Sequence, residues 1–126
     1  MADQTTLEQN KRKVRELMRL LVDPATAYQA APLLTESYIQ HNPNIASGRK
    51  AILEFTQSAA AQRARENMAP AGEPLLIAEG DYVVMMLPRE VPHPHKPGET
   101  YRSYWFDMWR LEDGLIAEHW DGAPLE

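Results

Sequence analysis

The first regular pattern of apolar positions lies near the start of the chain and has the spacing of one helix face, with charged residues between its members: Leu7, Val14, Leu17, Met18 and Leu21. This period predicts an amphipathic helix over about residues 6–22. Thr5 and Glu8 have the spacing of a capping box at its start. Asp23-Pro24 ends the helix and can begin a second, short one.

An extended segment is expected between the second helix and a third. Leu33-Leu34 ends the second helix against the core. Residues 38–43, Tyr-Ile-Gln-His-Asn-Pro, favour extended backbone that runs into a loop, because the residue before a proline avoids the helical region. Ser47 is suited to cap a third helix over about residues 48–66, with a buried face formed by Ile52, Phe55 and Ala59.

The second half of the chain changes to short apolar stretches separated by turn residues. Residues 69–72 read as a connector, and residues 88–98 contain four prolines, which predicts a loop rather than a strand. Gly80-Asp81 and Glu112-Asp113-Gly114 are turn signals. The predicted strands are 75–77, 82–87, 101–111 and 115–120. Helices followed by an antiparallel sheet indicate an α+β fold.

Composition narrows the class of protein. The 126 residues are the length of one domain, 1–126, and the net charge of −5 disfavours nucleic acid as a partner. The absence of cysteine excludes disulfides, thiol catalysis and cysteine-ligated zinc. No apolar stretch approaches the roughly 20 residues of a membrane helix, and no signal peptide is visible. We therefore expect a soluble cytoplasmic protein with no membrane partner.

The strand over residues 101–111 contains the most informative residue. Alternation puts Asp107 between Trp105 and Trp109 on one mostly apolar face. Indoles would desolvate this carboxylate, which favours its protonated form and suits it to proton transfer. The alternative is a structural aspartate paired with an arginine or a backbone amide, since aspartate is almost never buried without a partner.

The role of His119 depends on the register of the last hairpin. A two-residue turn would pair Asp107 with Trp120, and a three-residue turn with a bulge at Gly114 would pair Asp107 with His119. In the second case the two side chains would form an acid–base dyad. On the far face, His119 would be a surface or dimer-contact residue.

Three other histidines are candidates of different kinds. His41 follows an apolar extended stretch that would bring it to a cavity mouth, where Asn42 could donate to a substrate oxygen; the alternative is a structural histidine. His93 and His95 flank Pro94 in the proline-rich loop, where one of them could close over a pocket. Their spacing is not that of a zinc helix, so we expect no metal site.

Three blocks of sequence together resemble a known family. They are Tyr38–Pro43 followed by Gly48-Arg49, then Ala78–Val84, then Phe106–Asp121. The chain resembles the SnoaL-like polyketide cyclases of the nuclear-transport-factor-2-like superfamily, in the branch described as predicted aldol-condensation enzymes. The blocks run in order through nearly the whole chain.

The resemblance implies a cone-shaped barrel, in which a curved antiparallel sheet packs on N-terminal helices, and a homodimer formed through the sheet. The cyclases use no metal or organic cofactor. They use an aspartate as acid–base in an aldol ring closure, with a histidine nearby. Asp107 matches the position of that aspartate, and the histidine falls roughly at His93, in a loop that departs from the family.

These observations lead to two functional expectations of different classes. The first is a cofactor-independent acid–base enzyme that acts on a small hydrophobic carbonyl compound by aldol cyclisation, isomerisation or dehydration. Asp107 would move the proton, and His41 with His119 or His93 would stabilise the enolate oxygen. The apolar wall would consist of Tyr38, Trp105, Trp109 and Trp120. The second is a non-catalytic binding or dimerisation module; a histidine-based metal site is a third, less favoured reading.

Overall fold

Helices occupy the first half of the chain in the computed structural model, which describes residues 3–126. They are α1 (Gln4–Leu21), a 3₁₀ helix (Ala27–Leu33), α2 (Arg49–Phe55) and α3 (Ala59–Glu66). The N-cap of α1 is Asp3 rather than the predicted Thr5, and its carboxylate accepts a hydrogen bond from the Thr6 backbone N–H. A carboxylate there satisfies a donor that the helix leaves unpaired.

The prediction of one helix over residues 48–66 is wrong, because the chain turns between α2 and α3. Ser58 caps α3, and its hydroxyl accepts a hydrogen bond from the Ala61 backbone N–H. Ser47 does not cap α2. Its hydroxyl instead accepts a hydrogen bond from the Gln40 backbone N–H, which ties the loop before α2 to the preceding strand.

In the part of the chain that the structure describes, six strands form one curved sheet. They are β1 (Leu34–Gln40), β2 (Ala69–Pro70), β3 (Leu75–Glu79), β4 (Tyr82–Pro92), β5 (Thr100–Glu112) and β6 (Leu115–Asp121). The order is β1-β6-β5-β4-β2, and β3 pairs with β4 on the same edge as β2. Only the β1–β6 pair within residues 3–126 is parallel. The predicted α+β class is confirmed.

The prolines of residues 88–92 lie in a strand, so the predicted loop begins too early. β4 continues to Pro92 and pairs with β5 as far as Thr100. The Pro88 carbonyl accepts a hydrogen bond from the Ala71 N–H, on the side away from β5. The position of the missing N–H of Pro88 is on that same side, so the β4–β5 ladder loses no hydrogen bond. Pro92 lies four residues further along the strand and has the same orientation, so the same holds for it.

The core lies between the inner face of the sheet and α1, α2 and the 3₁₀ helix. Alternation along β5 is as predicted: Trp109 and Leu111 are buried, whereas Phe106 is 58% exposed on the outer face. The buried cluster comprises Val14, Leu17, Leu20, Ala30, Leu34, Tyr38, Ile52, Leu53, Leu76, Val83, Met85, Trp109, Leu111 and Ile116. Full burial of one such aliphatic side chain contributes about 1.5–3 kcal/mol.

Within residues 3–126, no helix combines the length and the apolar character needed to cross a membrane.

Candidate active site

The hairpin between β5 and β6 closes with a two-residue turn, Asp113-Gly114. Both residues have positive φ, 50° and 80°, as the tight turns that match the twist of paired strands require. This is the turn of one predicted alternative. By itself it would pair Asp107 with Trp120.

A β-bulge in β6 then shifts the register by one residue. Leu111 pairs with Ile116, but Arg110 pairs with Glu118, so β6 carries one extra residue at this point. Ile116 and Ala117 are both buried, which breaks the alternation of the strand. The bulge therefore moves every later side chain of β6 to the opposite face.

Beyond the bulge, His119 pairs with Trp109, and Asp121 pairs with Asp107. Both registers predicted from the sequence are wrong. His119 nevertheless reaches the inner face, because it lies opposite Trp109, which shares that face with Asp107. Without the bulge, Glu118 would point inward in its place.

Asp107 and His119 form a buried pair. His119 Nε2 lies 2.8 Å from Asp107 Oδ1, and the two residues are 8% and 6% exposed, respectively. The indole Nε1–H of Trp105 donates to the same oxygen at 3.3 Å. This is the dyad that one predicted alternative described, formed through a different register.

Gln40 fixes the tautomer of His119. Gln40 Oε1 accepts a hydrogen bond from the Asn42 backbone N–H at 3.0 Å and lies 2.7 Å from His119 Nδ1. A backbone N–H can only donate, so the atom facing both groups is the oxygen, and Nδ1 must donate its proton to it. Gln40 is not among the site residues predicted from the sequence, although alternation along β1 puts it on the same buried face of the strand as Tyr38.

The fixed tautomer determines the proton count of the dyad. With Nδ1 protonated, Nε2 and Asp107 Oδ1 can hydrogen-bond only if one proton lies between them. The pair is then either an imidazolium with a carboxylate or a neutral imidazole with a carboxylic acid. In both forms it holds one transferable proton, which is what a general acid–base pair requires.

Asp121 is a second carboxylate beside the dyad. Asn42 Nδ2 donates to Asp121 Oδ2 at 2.9 Å, and this oxygen lies 4.0 Å from His119 Nε2. Ligand atoms of Asp107, His119 and Asp121 lie within 4.8 Å of one another, so the group has the composition of a two-carboxylate, one-histidine cation site. Asp107 Oδ1 and His119 Nε2 already bond to each other and Asp121 Oδ2 to Asn42, so a cation on these three atoms would have to displace both hydrogen bonds.

Tyr38 is buried beside the two carboxylates. Its exposed fraction is 2%, and burial raises the pKa of the phenol far above its ordinary value. The negative charges of Asp107 and Asp121 act in the same direction. Tyr38 therefore stays protonated and keeps a hydroxyl donor at neutral pH.

Two other predicted site residues, His41 and Trp120, lie on the outer face of the sheet. His41 Nε2 is 2.7 Å from Glu118 Oε2, and its ring stacks on Trp120 with centroids 5.0 Å apart. Arg110 Nε donates to the other oxygen of Glu118 at 2.8 Å. These hydrogen bonds, that from His41 foremost, hold the pKa of Glu118 below its ordinary value. The structure does not bring His41 or Trp120 to Asp107.

His93 also lies away from the dyad. It follows β4, where its Nδ1 accepts a hydrogen bond from the His95 backbone N–H and its ring lies 5.9 Å from that of Tyr101. Tyr101 is six residues from Asp107 along β5, about 20 Å at the usual rise of a strand. The structure thus groups Tyr38, Asn42, Trp105, Trp109 and His119 around Asp107, and leaves His93 at the far end of β5.

One oxygen of the dyad remains open to a ligand. Asp107 Oδ2 makes none of the side-chain hydrogen bonds within residues 3–126, and it is not among the fully enclosed atoms without a partner, which are Thr35 Oγ1 and Arg89 Nε. Open grooves lie elsewhere on the surface of residues 3–126, among them the following two. One, of about 610 Å³, runs along α2, and the other, of about 500 Å³, lies on the outer face near Tyr82; Asp107 lines neither groove.

The family profile described as "SnoaL-like domain" matches residues 14–119, most of the chain and every residue of the dyad. The chain belongs to the SnoaL-like domain family. No curated protein matches the sequence significantly.

Solved structures have the same SnoaL-like fold at low sequence identity. A nuclear-transport-factor-2-like protein from Burkholderia xenovorans LB400 is 13% identical, covers 92% of this chain and 89% of its own, and gives a TM-score of 0.64. A candidate SnoaL-like polyketide cyclase from Jannaschia sp. CCS1 is 19% identical, with 94% and 88% covered and a TM-score of 0.62. The epoxide hydrolase/cyclase-like enzyme SalBIII is 22% identical, with 91% and 92% covered and a TM-score of 0.62. These similarities place this SnoaL-like chain in the nuclear-transport-factor-2-like fold.

Proposed function

We propose that this protein is an acid–base enzyme that acts on a small carbonyl compound without a cofactor. The observation that carries the proposal is the Asp107–His119 dyad, which is buried, has a fixed tautomer and holds one transferable proton. A buried proton-sharing pair with one open carboxylate oxygen suits proton abstraction beside a carbonyl.

In this mechanism Asp107 Oδ2 takes a proton from the carbon next to the substrate carbonyl, and the electron pair moves to the carbonyl oxygen. His119 Nε2 holds the hydrogen bond to Oδ1 as the carboxylate is protonated. Tyr38, protonated and adjacent, is the donor we assign to the enolate oxygen. Attack of the enolate carbon on a second carbonyl forms an alkoxide, and transfer of the proton from Asp107 to that oxygen completes aldol closure. Return of the proton to another carbon gives isomerisation. Cleavage of the C–O bond of a hydroxyl β to the carbonyl, with the proton from Asp107 passing to the leaving oxygen, releases water and gives dehydration.

The similar proteins favour ring closure among these outcomes. SalBIII is described as acting in pyran ring formation, and the Jannaschia protein as a candidate polyketide cyclase. His41 and His93 have no role in this proposal, because they lie on the outer face of the sheet and in the turn after β4.

The test is hydrogen–deuterium exchange at the carbon next to a carbonyl. Cyclohexanone and 1-indanone are incubated with the protein in D₂O, and deuterium uptake is followed by mass spectrometry. We expect catalysed exchange by the natural sequence and a loss of about 10²–10⁴-fold in Asp107→Asn and His119→Gln. The chain offers a matched control pair on the outer face: His41→Gln and Glu118→Gln break a histidine–carboxylate contact of similar length. They should keep the activity.

A second function remains, a non-catalytic binding module with the same fold. It is favoured by the near-complete burial of the dyad and by the position of both open grooves elsewhere. Exchange that is equal in Asp107→Asn and the natural sequence, or absent with both ketones and with the oxo acid 4-oxopentanoate, would support this module and reject the acid–base enzyme.

We also propose a homodimer formed through the outer face of the sheet. Exposed apolar side chains follow one another across three neighbouring strands there, and the outer groove lies among them: Leu75, Ile77, Tyr82, Tyr104 and Phe106. A contiguous apolar surface on a folded domain is typical of an interaction site. A second copy of the chain offers the same surface and would cover it.

A further inference from the structure

Arg89 is a cation on the inner face of the sheet. It lies on β4 at the same parity as the buried Val83 and Met85, and its cross-strand partner is Ser103. Its Cζ lies 4.6 Å from the centroid of the Trp105 ring. The guanidinium therefore stacks on a side chain of the dyad's own surroundings.

The hydrogen bonds of Arg89 are incomplete. Nε is fully enclosed and has no partner within residues 3–126. Nη1 donates to Met68 Sδ at 3.2 Å, but a thioether is a weak acceptor. None of the ion pairs among the described residues includes Arg89, whereas the neighbouring Arg102 pairs with Glu90 at 3.1 Å. An enclosed cationic donor without an acceptor is costly. Nη2 makes no hydrogen bond among the described residues and is not fully enclosed, so the guanidinium has one donor that a ligand anion can reach.

Trp105 connects this cation to the dyad. The Arg89 guanidinium stacks on the face of the Trp105 indole, and the indole Nε1–H donates a hydrogen bond to Asp107 Oδ1. A ligand that lies along this one ring would therefore contact a cation at one end and the open oxygen of Asp107 at the other. Arg89 is the only arginine or lysine at the inward positions of β4 and β5, so the site matches one negative charge.

We propose that Arg89 binds a carboxylate of the substrate, which makes the substrate class a small oxo acid rather than a neutral ketone. The planar guanidinium can donate two parallel hydrogen bonds to a carboxylate; Nη2 is the donor that the carboxylate reaches first, and Nε completes the fork once the side chain turns toward the ligand. This inference rests on the proposed function, since it assumes that the carbonyl compound reacts at Asp107. It assigns Arg89 the binding of the substrate's charged end.

The test compares 4-oxopentanoate with its uncharged match, methyl 4-oxopentanoate. Dissociation constants are measured by isothermal titration calorimetry for the natural sequence, Arg89→Met and the control Arg102→Met, which removes an exposed arginine from the outer face. We expect the acid to bind at least about tenfold more tightly than the ester in the natural sequence and in Arg102→Met. Arg89→Met should lose this preference. Equal affinity for acid and ester in the natural sequence, or a preference that survives Arg89→Met, overturns the inference.

A second measurement needs no variant and so does not depend on whether Arg89→Met folds. The Nε–Hε resonance of Arg89 is followed by ¹⁵N-edited NMR while 4-oxopentanoate is added. We expect a saturable shift with the acid and none with the ester; no shift with the acid would contradict carboxylate binding.

Asp107→Asn separates the two proposals. If the natural sequence exchanges deuterium and prefers the acid to the ester, while Asp107→Asn keeps that preference but exchanges no deuterium, both proposals stand. If the natural sequence prefers the acid but exchanges no deuterium into it or the two ketones, Arg89 is an anion site and the acid–base function fails. If the ketones exchange but acid and ester bind equally, only the Arg89 inference fails.

Discussion

Trp109 and His119 are cross-strand partners, and their rings lie 5.2 Å apart from centroid to centroid. The indole of Trp109 packs against the imidazole of His119, and Gln40 Oε1 accepts a hydrogen bond from His119 Nδ1. These two contacts restrict the orientation of the imidazole. Nε2 then points to Asp107. The reactive geometry is thus set by two residues that need not touch the substrate themselves.

Gln40 should act as a positioning residue for His119. In Gln40→Leu the Nδ1–H loses its acceptor, and we expect a loss of about 1–3 kcal/mol in the free energy of unfolding. The imidazole ¹⁵N shifts of His119 should then show a mixture of tautomers, where the natural sequence shows Nδ1 protonated. The exchange assay should show a lower kcat with little change in KM.

Gln40→Glu is the matched variant, because it retains an oxygen acceptor at the same place. It should keep the tautomer of the natural sequence. A Gln40→Leu protein with unchanged ¹⁵N shifts and kcat would mean that Trp109 alone orients the ring.

The Glu118 network should contribute to stability only above a certain pH. Its hydrogen bonds with His41 and Arg110 lower the pKa of Glu118 below 4.5, the value expected in the unfolded chain. The stabilisation is complete above pH 4.5 and is lost as the pH falls through the lower, folded value. For a pair this close to solvent we expect less than about 1 kcal/mol.

Urea unfolding at pH 7 and at several pH values below 4.5 measures the contribution of the Glu118 hydrogen bonds to the free energy of unfolding. Glu118→Gln should show a smaller loss of stability on acidification than the natural sequence. Glu112→Gln, which removes an exposed carboxylate 3.5 Å from Arg110, is the control and should behave like the natural sequence. If the free energy of unfolding fell equally with pH in all three proteins, the Glu118 hydrogen bonds would not contribute to this pH dependence.

Tyr38 should make the protein less stable in alkali. Burial raises the pKa of its phenol above the unfolded value of 10.0, so the unfolded chain releases this proton first. Stability is then unaffected below pH 10 and falls above it, by up to about 1.4 kcal/mol per pH unit from this group. Tyr38→Phe should show a shallower fall in unfolding experiments between pH 9 and 11. An identical slope in the two proteins would contradict a buried, protonated Tyr38.

Phe106→Glu should dissociate the proposed dimer. The new carboxylate would lie within the outer apolar surface, where 58% of Phe106 is exposed in the isolated chain. Sedimentation velocity is expected to give a dimer for the natural sequence and a monomer for the variant, without loss of circular dichroism. Val22→Glu, an exposed apolar position after α1, is the control and should stay dimeric. A natural sequence that sediments as a monomer would reject the dimer.

Elements with a regular period could be predicted from the sequence. The apolar spacing of α1 and the alternation of β5 correspond to the faces that the structure buries, and alternation alone put Asp107 with Trp105 and Trp109. These predictions succeed because apolar side chains that recur at the helical period indicate a helix, and those that alternate indicate a strand. They fix which residues share a face.

Features that depend on competition between local and distant contacts could not be predicted. The bulge at Ala117 is one residue long, and its only trace in the sequence is the consecutive apolar stretch Leu115-Ile116-Ala117 before Glu118. The break between α2 and α3 replaces a continuous helix with a new cap at Ser58. The partner of His119 comes from β1, and no local pattern indicates a parallel pairing of β1 with β6.

Gln40 and His119 are 79 positions apart, yet they are direct partners in the parallel β1–β6 ladder. Joining them requires closure of a long loop, an event that costs chain entropy and that folding rates reflect. A chain in which the β3–β4–β5–β6 meander has formed but β1 has not docked would hold both Asp107 and His119 without control of the imidazole proton. The dyad can therefore transfer a proton only after β1 has paired with β6 and brought Gln40 to His119. An assay of activity during refolding would report this pairing.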